Sequence, residues 1–158
     1  AQRRDFTING LFEDPRSGAI IDHVGGQADL RDGVLRAIGD ASSRFQEDSL
    51  RLMRAVRFSG SLGFAIEENT WQAVVQQAPL LARIAPERIR DELNRMLLHP
   101  SRARAFELLA DSHLFTYFWP EVMALRGCEQ PPEWHPEGDV FVHTRIMLEM
   151  LEPDAPLE

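Results

Sequence analysis

One short segment concentrates charged side chains that could bind an anion. An acidic pair and three arginines follow one another as Glu47, Asp48, Arg51, Arg54 and Arg57. On a helix these arginines would lie about 60° apart, facing away from the apolar positions. Only Glu47 and Arg51 have the i, i+4 spacing of a local ion pair, so Arg54 and Arg57 lack a partner on the helix. A guanidinium suits phosphate oxygens and base edges, and the segment therefore predicts a nucleotide or nucleic-acid site rather than an ordinary solvated face.

Composition narrows the class of protein that carries this segment. The chain has 158 residues, 44% of them hydrophobic, and a single cysteine, Cys128. No apolar stretch is long enough to span a membrane and no secretion signal opens the chain, so a cytoplasmic protein without a membrane partner is expected. The net charge of −8 is uneven, with nine Arg against nine acidic residues in 1–60 and eight against sixteen in 61–158. A polyanion should therefore meet the first part.

The elements that must position these residues change character near Ala41. Before it, alternation of apolar and polar residues predicts a hairpin of Thr7 to Phe12 with Ala19 to Asp22, then a short helix at 27–31 and a strand at 34–38. After it, strand signals disappear and apolar periodicity predicts helices. Their expected ranges are 42–62, 67–82, 86–99, 101–110, 114–119 and 140–151. Asn69 or Thr70 should cap the second and Ser101 the fourth. The predicted fold class is α+β, mostly α.

Three blocks of residues share a fixed order and spacing. They are Arg3-Arg4-Asp5-Phe6-Thr7-Ile8-Asn9, then Asp22 with Gly25-Gly26 and Asp29-Leu30, then Glu47-Asp48-x-x-Arg51 continuing to Arg54-x-x-Arg57-Phe58. Together they resemble the class II tRNA nucleotidyltransferase (CCA-adding enzyme) and bacterial poly(A) polymerase family, over roughly residues 2–120. The sequence departs from the family pattern at Gly10, where Ala is usual, and at His23, where Pro is usual.

The resemblance implies an organisation and an activity. Residues 1–40 would be the C-terminal part of a nucleotidyltransferase palm, 41–125 a helical neck that reads the nucleotide and binds RNA, and 126–158 the loop and first helix of an HD-type region. The implied reaction is addition of CMP and AMP to the tRNA 3′ end, with ATP and CTP as substrates and Mg²⁺ as the metal. Poly(A), A-only or CC-only addition are alternatives within the class. An HD-type metal phosphohydrolase and a noncatalytic RNA-binding helical module are alternatives of another class.

The resemblance also assigns nucleotide-binding residues, namely Arg4, Asp5, Asn9, Asp48, Arg51, Arg54 and Arg57. In the family pattern Arg4 contacts the triphosphate and Asp5 lies near the ribose. Asp48 and Arg51 would read the Watson–Crick edge of C or A, since a carboxylate and a guanidinium side by side offer acceptors and donors. Arg54 and Arg57 would reach the triphosphate or the tRNA end. The glycine pair with Asp22 and Asp29 is interpreted as structural. Glu87, Arg88 and Glu92 further on are interpreted as residues that fix the helix bundle.

No catalytic or metal-binding residue is assigned within the chain. Nucleotidyl transfer needs paired carboxylates for Mg²⁺, and no Asp-x-Asp occurs here. The family carries that motif upstream of the first block, so we expect the chain to be the middle of a longer protein and inactive alone. His143 would be the first metal histidine of an HD-type site whose His-Asp pair lies beyond Glu158. No metal site is therefore predicted here, and Asp139 and His135 are interpreted as a helix cap and a loop residue.

Overall fold

Short strands at the N-terminal end are followed by a set of packed helices. The computed structural model describes residues 3–131 and 133–152. The last part of the predicted HD-type region, 153–158, lies outside the described residues. The strands are β1 Leu11–Glu13, β2 Ile20–Asp22, β3 Val34–Leu35 and β4 Ala65–Ile66. The helices are α1 Gly26–Asp32, α2 Ala41–Glu47, α3 Leu50–Leu62, α4 Glu68–Gln77, α5 Pro86–Leu97, α6 Arg102–Asp111, α7 Phe115–Phe118, α8 Pro120–Met123 and α9 Val140–Met150. The predicted fold class, α+β and mostly α, is confirmed.

The predicted first strand is wrong in its first half. Thr7–Asn9 form a 3₁₀ turn, and β1 begins only at Leu11. Local hydrogen bonds favour the turn, because the amide nitrogens of Asn9 and Gly10 donate to the carbonyls of Phe6 and Thr7 at 3.0 and 2.9 Å. Strands β1 and β2 then pair antiparallel as the hairpin predicts, with Leu11 opposite Asp22. The turn places the block that starts at Arg3 beside the helices instead of extending the hairpin.

The glycine block acts structurally, as predicted. One carboxylate oxygen of Asp22 accepts from the amides of Val24, Gly25 and Gly26 at 2.9 to 3.1 Å, and the other accepts from that of Gln27 at 2.9 Å. These amides lie at the start of α1, whose unpaired donors Asp22 satisfies. A Cβ at position 26 would lie 2.2 Å from the Thr7 carbonyl oxygen, so only glycine fits there. This contact fixes α1 against the 3₁₀ turn.

A second small sheet was only half predicted. The strand expected at 34–38 ends at Leu35, and it pairs in parallel with β4, which no sequence signal indicated. The amide of Ala37 donates to the hydroxyl of Thr70 at 3.1 Å instead of continuing the ladder. Neither Asn69 nor Thr70 caps α4, because both lie within its first turn; the Glu67 side chain caps the helix, accepting from the Thr70 amide. A strand of two residues is too short to leave a periodic pattern.

The single helix predicted at 42–62 is two helices. Asp48 has an extended backbone, with φ −149° and ψ 100°, which breaks the helix between Glu47 and Leu50. Its carboxylate accepts from the Leu50 amide at 3.2 Å and so provides a partner outside the helical ladder. The charged segment therefore begins in a bend and continues along α3.

Helix α3 lies at the centre of the helical part. Leu52, Met53, Ala55 and Val56 are fully buried, and the helix packs against α5 and α6. Gly60 approaches Ala105 of α6 so closely that a Cβ would meet the Ala105 Cβ at 3.4 Å. The face with Arg51, Arg54 and Arg57 is consequently held by a rigid packed helix.

The helices after α3 differ from prediction mainly at their ends. The range 67–82 is α4 followed by a 3₁₀ segment, Ala78–Arg83. Ser101 precedes α6 but does not cap it, because its hydroxyl contacts the His99 ring at 2.7 Å. Asp139 does cap α9, accepting from the Val142 amide at 3.1 Å, as predicted. No helix in the described part of the chain is both long and apolar enough to cross a membrane.

Candidate functional site

The N-terminal block lies across the polar face of α3 and supplies a partner for Arg54. The Asp5 carboxylate, 7% exposed, accepts from Nε of Arg54 at 2.6 Å and from the Asn9 amide at 3.1 Å. Burial alone would raise the pKa of Asp5, but the hydrogen bond from Asn9 and the charge of Arg54 outweigh it and lower the pKa below 3.8. The structure therefore brings Asp5, Asn9 and Arg54 together as one ionised cluster.

Arg57 has a buried partner on another helix. Its Nε donates to the Glu92 carboxylate of α5 at 2.6 Å, and Arg95 donates to the other oxygen at 2.7 Å. The Glu92 side chain is only 3% exposed. The Arg57 guanidinium also lies 4.2 Å from the ring centre of Phe58, within cation–π distance. The structural interpretation of Glu92 agrees with these contacts.

Arg54 and Arg57 have no acidic partner four residues away on α3, as their spacing indicates, but each has one elsewhere in the fold. Asp5 and Glu92 are 49 and 35 residues away in sequence from the arginines they bind. Tertiary packing brings them together, so spacing along one helix could not reveal the pairs.

Arg51 is held by the chain on both sides of the bend. Its Nη1 donates to the Arg44 carbonyl at 2.8 Å and to the Glu47 carboxylate at 2.9 Å, and Nη2 lies 3.4 Å from the Arg3 carbonyl. The hydrogen bond from Arg51, together with that from Arg44, lowers the pKa of Glu47. Nη1 uses both of its protons in these contacts, whereas Nε and one proton of Nη2 have no hydrogen-bond partner within 3–131 and 133–152. Arg51 is thus oriented with donors to spare.

The Asp48 side chain is more exposed than that of Arg51. Its side chain is 38% exposed, and Arg88 of α5 lies 3.4 Å away with 51% of its own side chain exposed. The Asp48 carbonyl accepts from the Arg51 amide at 3.0 Å, which fixes the two backbones relative to one another. Among the described residues, only the Leu50 amide and Arg88 donate to the carboxylate, so Asp48 has acceptor capacity left for a ligand.

Arg4 is exposed near the same end of α3. No ion pair or side-chain hydrogen bond joins it to another residue in the described part of the chain. Its neighbour Arg3 contributes the carbonyl that Arg51 approaches. The chain thus brings a free guanidinium, an oriented guanidinium and a partly free carboxylate to one end of α3, which suits an anion next to a polar planar group.

Arg88 contacts the candidate site, although the sequence did not indicate that it belongs there. It was interpreted, with Glu92, as part of the helix framework. The framework role fits Glu92, but Arg88 instead faces Asp48 across the bend. The spacing Arg88 to Glu92 places both on one side of α5, which is the only sequence signal that links them.

Among the described residues, one group of three metal-binding side chains converges, consisting of His135, Glu137 and His143. Two imidazoles and one carboxylate do not suit Mg²⁺, which prefers oxygen ligands. No catalytic step through Mg²⁺ is therefore assigned to these residues. The convergence itself was not predicted, because the sequence pattern was interpreted as a loop and a helix start.

Comparison with protein families matches two segments of the chain. Residues 1–36 match the poly(A) polymerase head domain, and residues 63–125 match a domain described as the probable RNA- and SrmB-binding site of polymerase A. The CCA-adding enzyme of Geobacillus kaustophilus is 49% identical over 116 residues, which are 73% of this chain and 28% of that enzyme. That of Geobacillus thermodenitrificans is 43% identical over 133 residues, 84% of this chain and 31% of the enzyme. The chain thus spans less than a third of either relative.

Solved structures agree with the sequence relatives. The Bacillus stearothermophilus CCA-adding enzyme in complex with CTP has a TM-score of 0.72 at 49% identity, with 74% of this chain and 29% of that chain covered. The Thermotoga maritima CCA-adding enzyme complexed with tRNA has a TM-score of 0.70 at 32% identity, covering 76% and 30%. Fold, motif order and sequence identity point to the same group of proteins. The chain belongs to the family of class II CCA-adding enzymes and bacterial poly(A) polymerases.

Proposed function

We propose that this chain is the nucleotide-selecting part of a nucleotidyltransferase that adds CMP and AMP to the 3′ end of tRNA. The observation that carries the proposal is the pair at the α2–α3 bend, where the partly exposed Asp48 carboxylate precedes the oriented Arg51 guanidinium. Such a pair offers acceptors next to donors and can form hydrogen bonds with the pairing edge of cytosine or adenine. ATP and CTP are the proposed substrates.

The arginines around this pair support binding of a triphosphate. Arg4 is exposed and free to bind phosphate, and the Nη1 group of Arg54 is not among the atoms that contact Asp5. We propose that Arg4 contacts the triphosphate, with Asp5 and Asn9 holding Arg54 in place beside it. Arg57 is proposed to face the triphosphate or the RNA end with the donors that Glu92 does not use.

The ligands of related proteins support the same substrates. One similar structure is a CCA-adding enzyme with CTP, and another is a CCA-adding enzyme with tRNA. We propose the tRNA 3′ end as the partner and the cytoplasm as the compartment. The division into a palm part at 1–40, a neck at 41–125 and an HD-type start at 126–158 is retained as a proposal. Mg²⁺ remains a prediction from the resemblance, with its carboxylates expected outside this chain.

Addition to tRNA tests the proposal directly. The product of the complete reading frame is incubated with tRNA that lacks its 3′-terminal CCA, with CTP alone, ATP alone or both. We expect cytidine addition with CTP alone and a complete CCA end with both nucleotides, read as length changes on a sequencing gel. The 158-residue chain, assayed in parallel, is expected to add nothing because it has no Asp-x-Asp pair.

The alternatives give different products. Long adenosine tails on unrelated RNA would indicate a poly(A)-adding enzyme, whereas addition of only A or only CC would indicate a partial activity. If the full product adds nothing while the 158-residue chain binds tRNA, the noncatalytic RNA-binding module is the better explanation. Addition of all four nucleotides at equal rates would contradict base selection by Asp48 and Arg51.

A further inference from the structure

Three metal-binding side chains converge in the segment before α9, away from the arginine face of α3. His135 and Glu137 lie in the loop that leads to the helix, and His143 lies in the first turns of α9. Their ligand atoms are all within 4.8 Å of one another. The proposed nucleotide-selecting function uses none of these residues, so their convergence needs a separate explanation.

Both histidines direct the same ring atom towards one carboxylate oxygen. Nδ1 of His135 is 3.4 Å from Oε1 of Glu137, and Nδ1 of His143 is in hydrogen-bond contact with the same oxygen. The two rings are perpendicular, with their centres 4.9 Å apart. Ligands of a tetrahedral zinc ion are separated by about 3.3 Å, given metal–ligand distances near 2.0–2.1 Å. The separation of the His135 and Glu137 donors matches this spacing, whereas His143 and Glu137 are in direct hydrogen-bond contact that a bound ion would replace.

The backbone around the three side chains is fixed by hydrogen bonds. The Gly138 amide donates to the His135 carbonyl at 2.9 Å and closes a tight turn that contains Glu137. Asp139 accepts from the Gly127 amide at 2.6 Å and also caps α9, which ties the turn to the helix start. The Gln130 amide donates to the Gly138 carbonyl at 2.6 Å. The two ligands of the loop are thus positioned relative to His143 before any ion binds.

Helix α9 is itself anchored to the rest of the fold. Phe141 stacks on Phe106 of α6, with ring centres 4.7 Å apart and planes 27° apart. The guanidinium of Arg126 lies 4.4 Å from the Phe141 ring centre on another side. Because Phe141 is buried two residues before His143, the position of the helical ligand is set by core packing.

Ligand types and exposure indicate which ion would suit this cluster. Two imidazoles and one carboxylate are a known zinc donor set, and they leave the fourth tetrahedral position to water or another ligand. The three side chains are partly exposed, so an ion can enter from solvent. Two nitrogen ligands disfavour Mg²⁺ and Ca²⁺, which prefer oxygen. Zn²⁺, or a divalent ion of similar preference such as Co²⁺, is the matching class.

We propose that His135, Glu137 and His143 bind a zinc-class divalent ion with one open coordination position. The ligand set shares His143 with the site that the HD resemblance implies. It differs in taking its other two ligands from the preceding loop, all within the described residues. If no ion bound, Glu137 would serve only as a hydrogen-bond partner for the two imidazole rings. A measurement of metal binding distinguishes this role from that of a metal ligand.

Calorimetric titration of the 158-residue chain with Zn²⁺, after treatment with a chelator, tests the site. We expect one ion per chain, with His135→Gln and His143→Gln each lowering affinity by at least about 10-fold. His23→Gln removes an exposed histidine elsewhere and should leave affinity unchanged. Cys128→Ser removes the only thiol, the softest zinc ligand available, and should also leave it unchanged.

Absorption spectroscopy with bound Co²⁺ provides an independent measurement of which side chains coordinate the ion. A four-coordinate Co²⁺ site gives visible absorption that His143→Gln should abolish and His23→Gln should preserve. Circular dichroism of each variant shows whether the helices remain folded. The proposal is overturned if the unsubstituted chain binds no Zn²⁺ up to about 1 mM, or if folded His135→Gln and His143→Gln variants bind as tightly as the original. Loss of binding with Cys128→Ser alone would place the ion elsewhere.

Discussion

The arginines of α3 lie in different surroundings along the helix. In the middle part of α3, Arg54 and Arg57 each contact a buried carboxylate at 2.6 Å. At the N-terminal end, Asp48 and Arg88 meet at 3.4 Å with both side chains well exposed, and Arg51 is held by backbone carbonyls. The middle part has its charges satisfied inside the protein, and the N-terminal end has hydrogen-bonding capacity left.

The difference shows that arginine spacing does not distinguish an arginine that stabilises the fold through a buried ion pair from one that can bind a ligand. The three arginines follow one another at equal intervals, yet only their partners in the fold separate the roles. A buried carboxylate must be paired, because an uncompensated buried charge is costly, so short contacts to it indicate stabilisation. A long contact between exposed groups contributes little and leaves both groups able to bind a ligand.

The largest effect should follow removal of the Glu92 charge. Glu92→Gln leaves Arg57 without its buried partner, and we expect a loss of about 3 kcal/mol in the free energy of unfolding. Urea unfolding followed by circular dichroism measures it. The matched control is Glu87→Gln, an exposed glutamate on the same helix, which should change stability by less than about 0.5 kcal/mol. A loss below about 1 kcal/mol for Glu92→Gln would contradict a stabilising role of the Glu92–Arg57 ion pair.

A smaller loss should follow Asp5→Asn. Arg54 is more exposed than Arg57 and can recover water contacts, so we expect about 2 kcal/mol at neutral pH. Because the folded pKa of Asp5 is depressed, its contribution is fully present above the ordinary value of 3.8 and is lost as pH falls through the lowered pKa. The stability difference between the original chain and Asp5→Asn should be constant above about pH 5 and shrink in more acidic urea titrations. A difference independent of pH would show that Asp5 acts through packing alone.

At the open end, substitutions should change selectivity more than stability. We expect Asp48→Ala and Arg51→Ala, in the product of the complete reading frame, to reduce discrimination of CTP and ATP against GTP and UTP by about 10-fold each. Incorporation rates with each nucleotide, expressed as kcat/KM, measure it. Asp48→Asn is the shape-matched control and should also lose selectivity, since its amide donates where the carboxylate accepts. Equal loss for all four nucleotides would indicate a general binding defect.

The extent of the helical fold was largely predictable, whereas its breaks were not. Helix α5 follows from Pro86 and a regular apolar pattern, and α9 from its Asp139 cap. The bend at Asp48 was missed because a single residue adopts an extended backbone within an otherwise helical pattern. Strand β4 was missed because its pairing with β3 joins positions 31 residues apart through two-residue strands.

The candidate site shows the same limit. Candidate nucleotide-binding residues can be proposed from the sequence because three motifs with fixed spacing occur in order, and this order can be recognised without knowledge of the contacts. Which of them form buried ion pairs and which keep free hydrogen-bonding groups could not be predicted. Asp5 and Glu92 reach α3 only through the packing of distant segments. The metal-binding cluster depends on a turn that brings His135 back towards α9.

The smallest effect on stability should follow Arg88→Ala. This substitution tests most directly whether the N-terminal end of α3 differs from the part that carries Arg54 and Arg57. Arg88 belongs to the same helix as Glu92, but its contact with Asp48 is long and exposed, so we expect less than about 0.5 kcal/mol in urea unfolding. Since Arg88 is the side chain that contacts the Asp48 carboxylate from α5, nucleotide discrimination should still weaken, though less than in Asp48→Ala. A stability loss similar to that of Glu92→Gln would mean that the charges at the N-terminal end of α3 stabilise the fold as those in its middle part do. Unchanged stability with altered discrimination would instead assign Arg88 to positioning the Asp48 carboxylate.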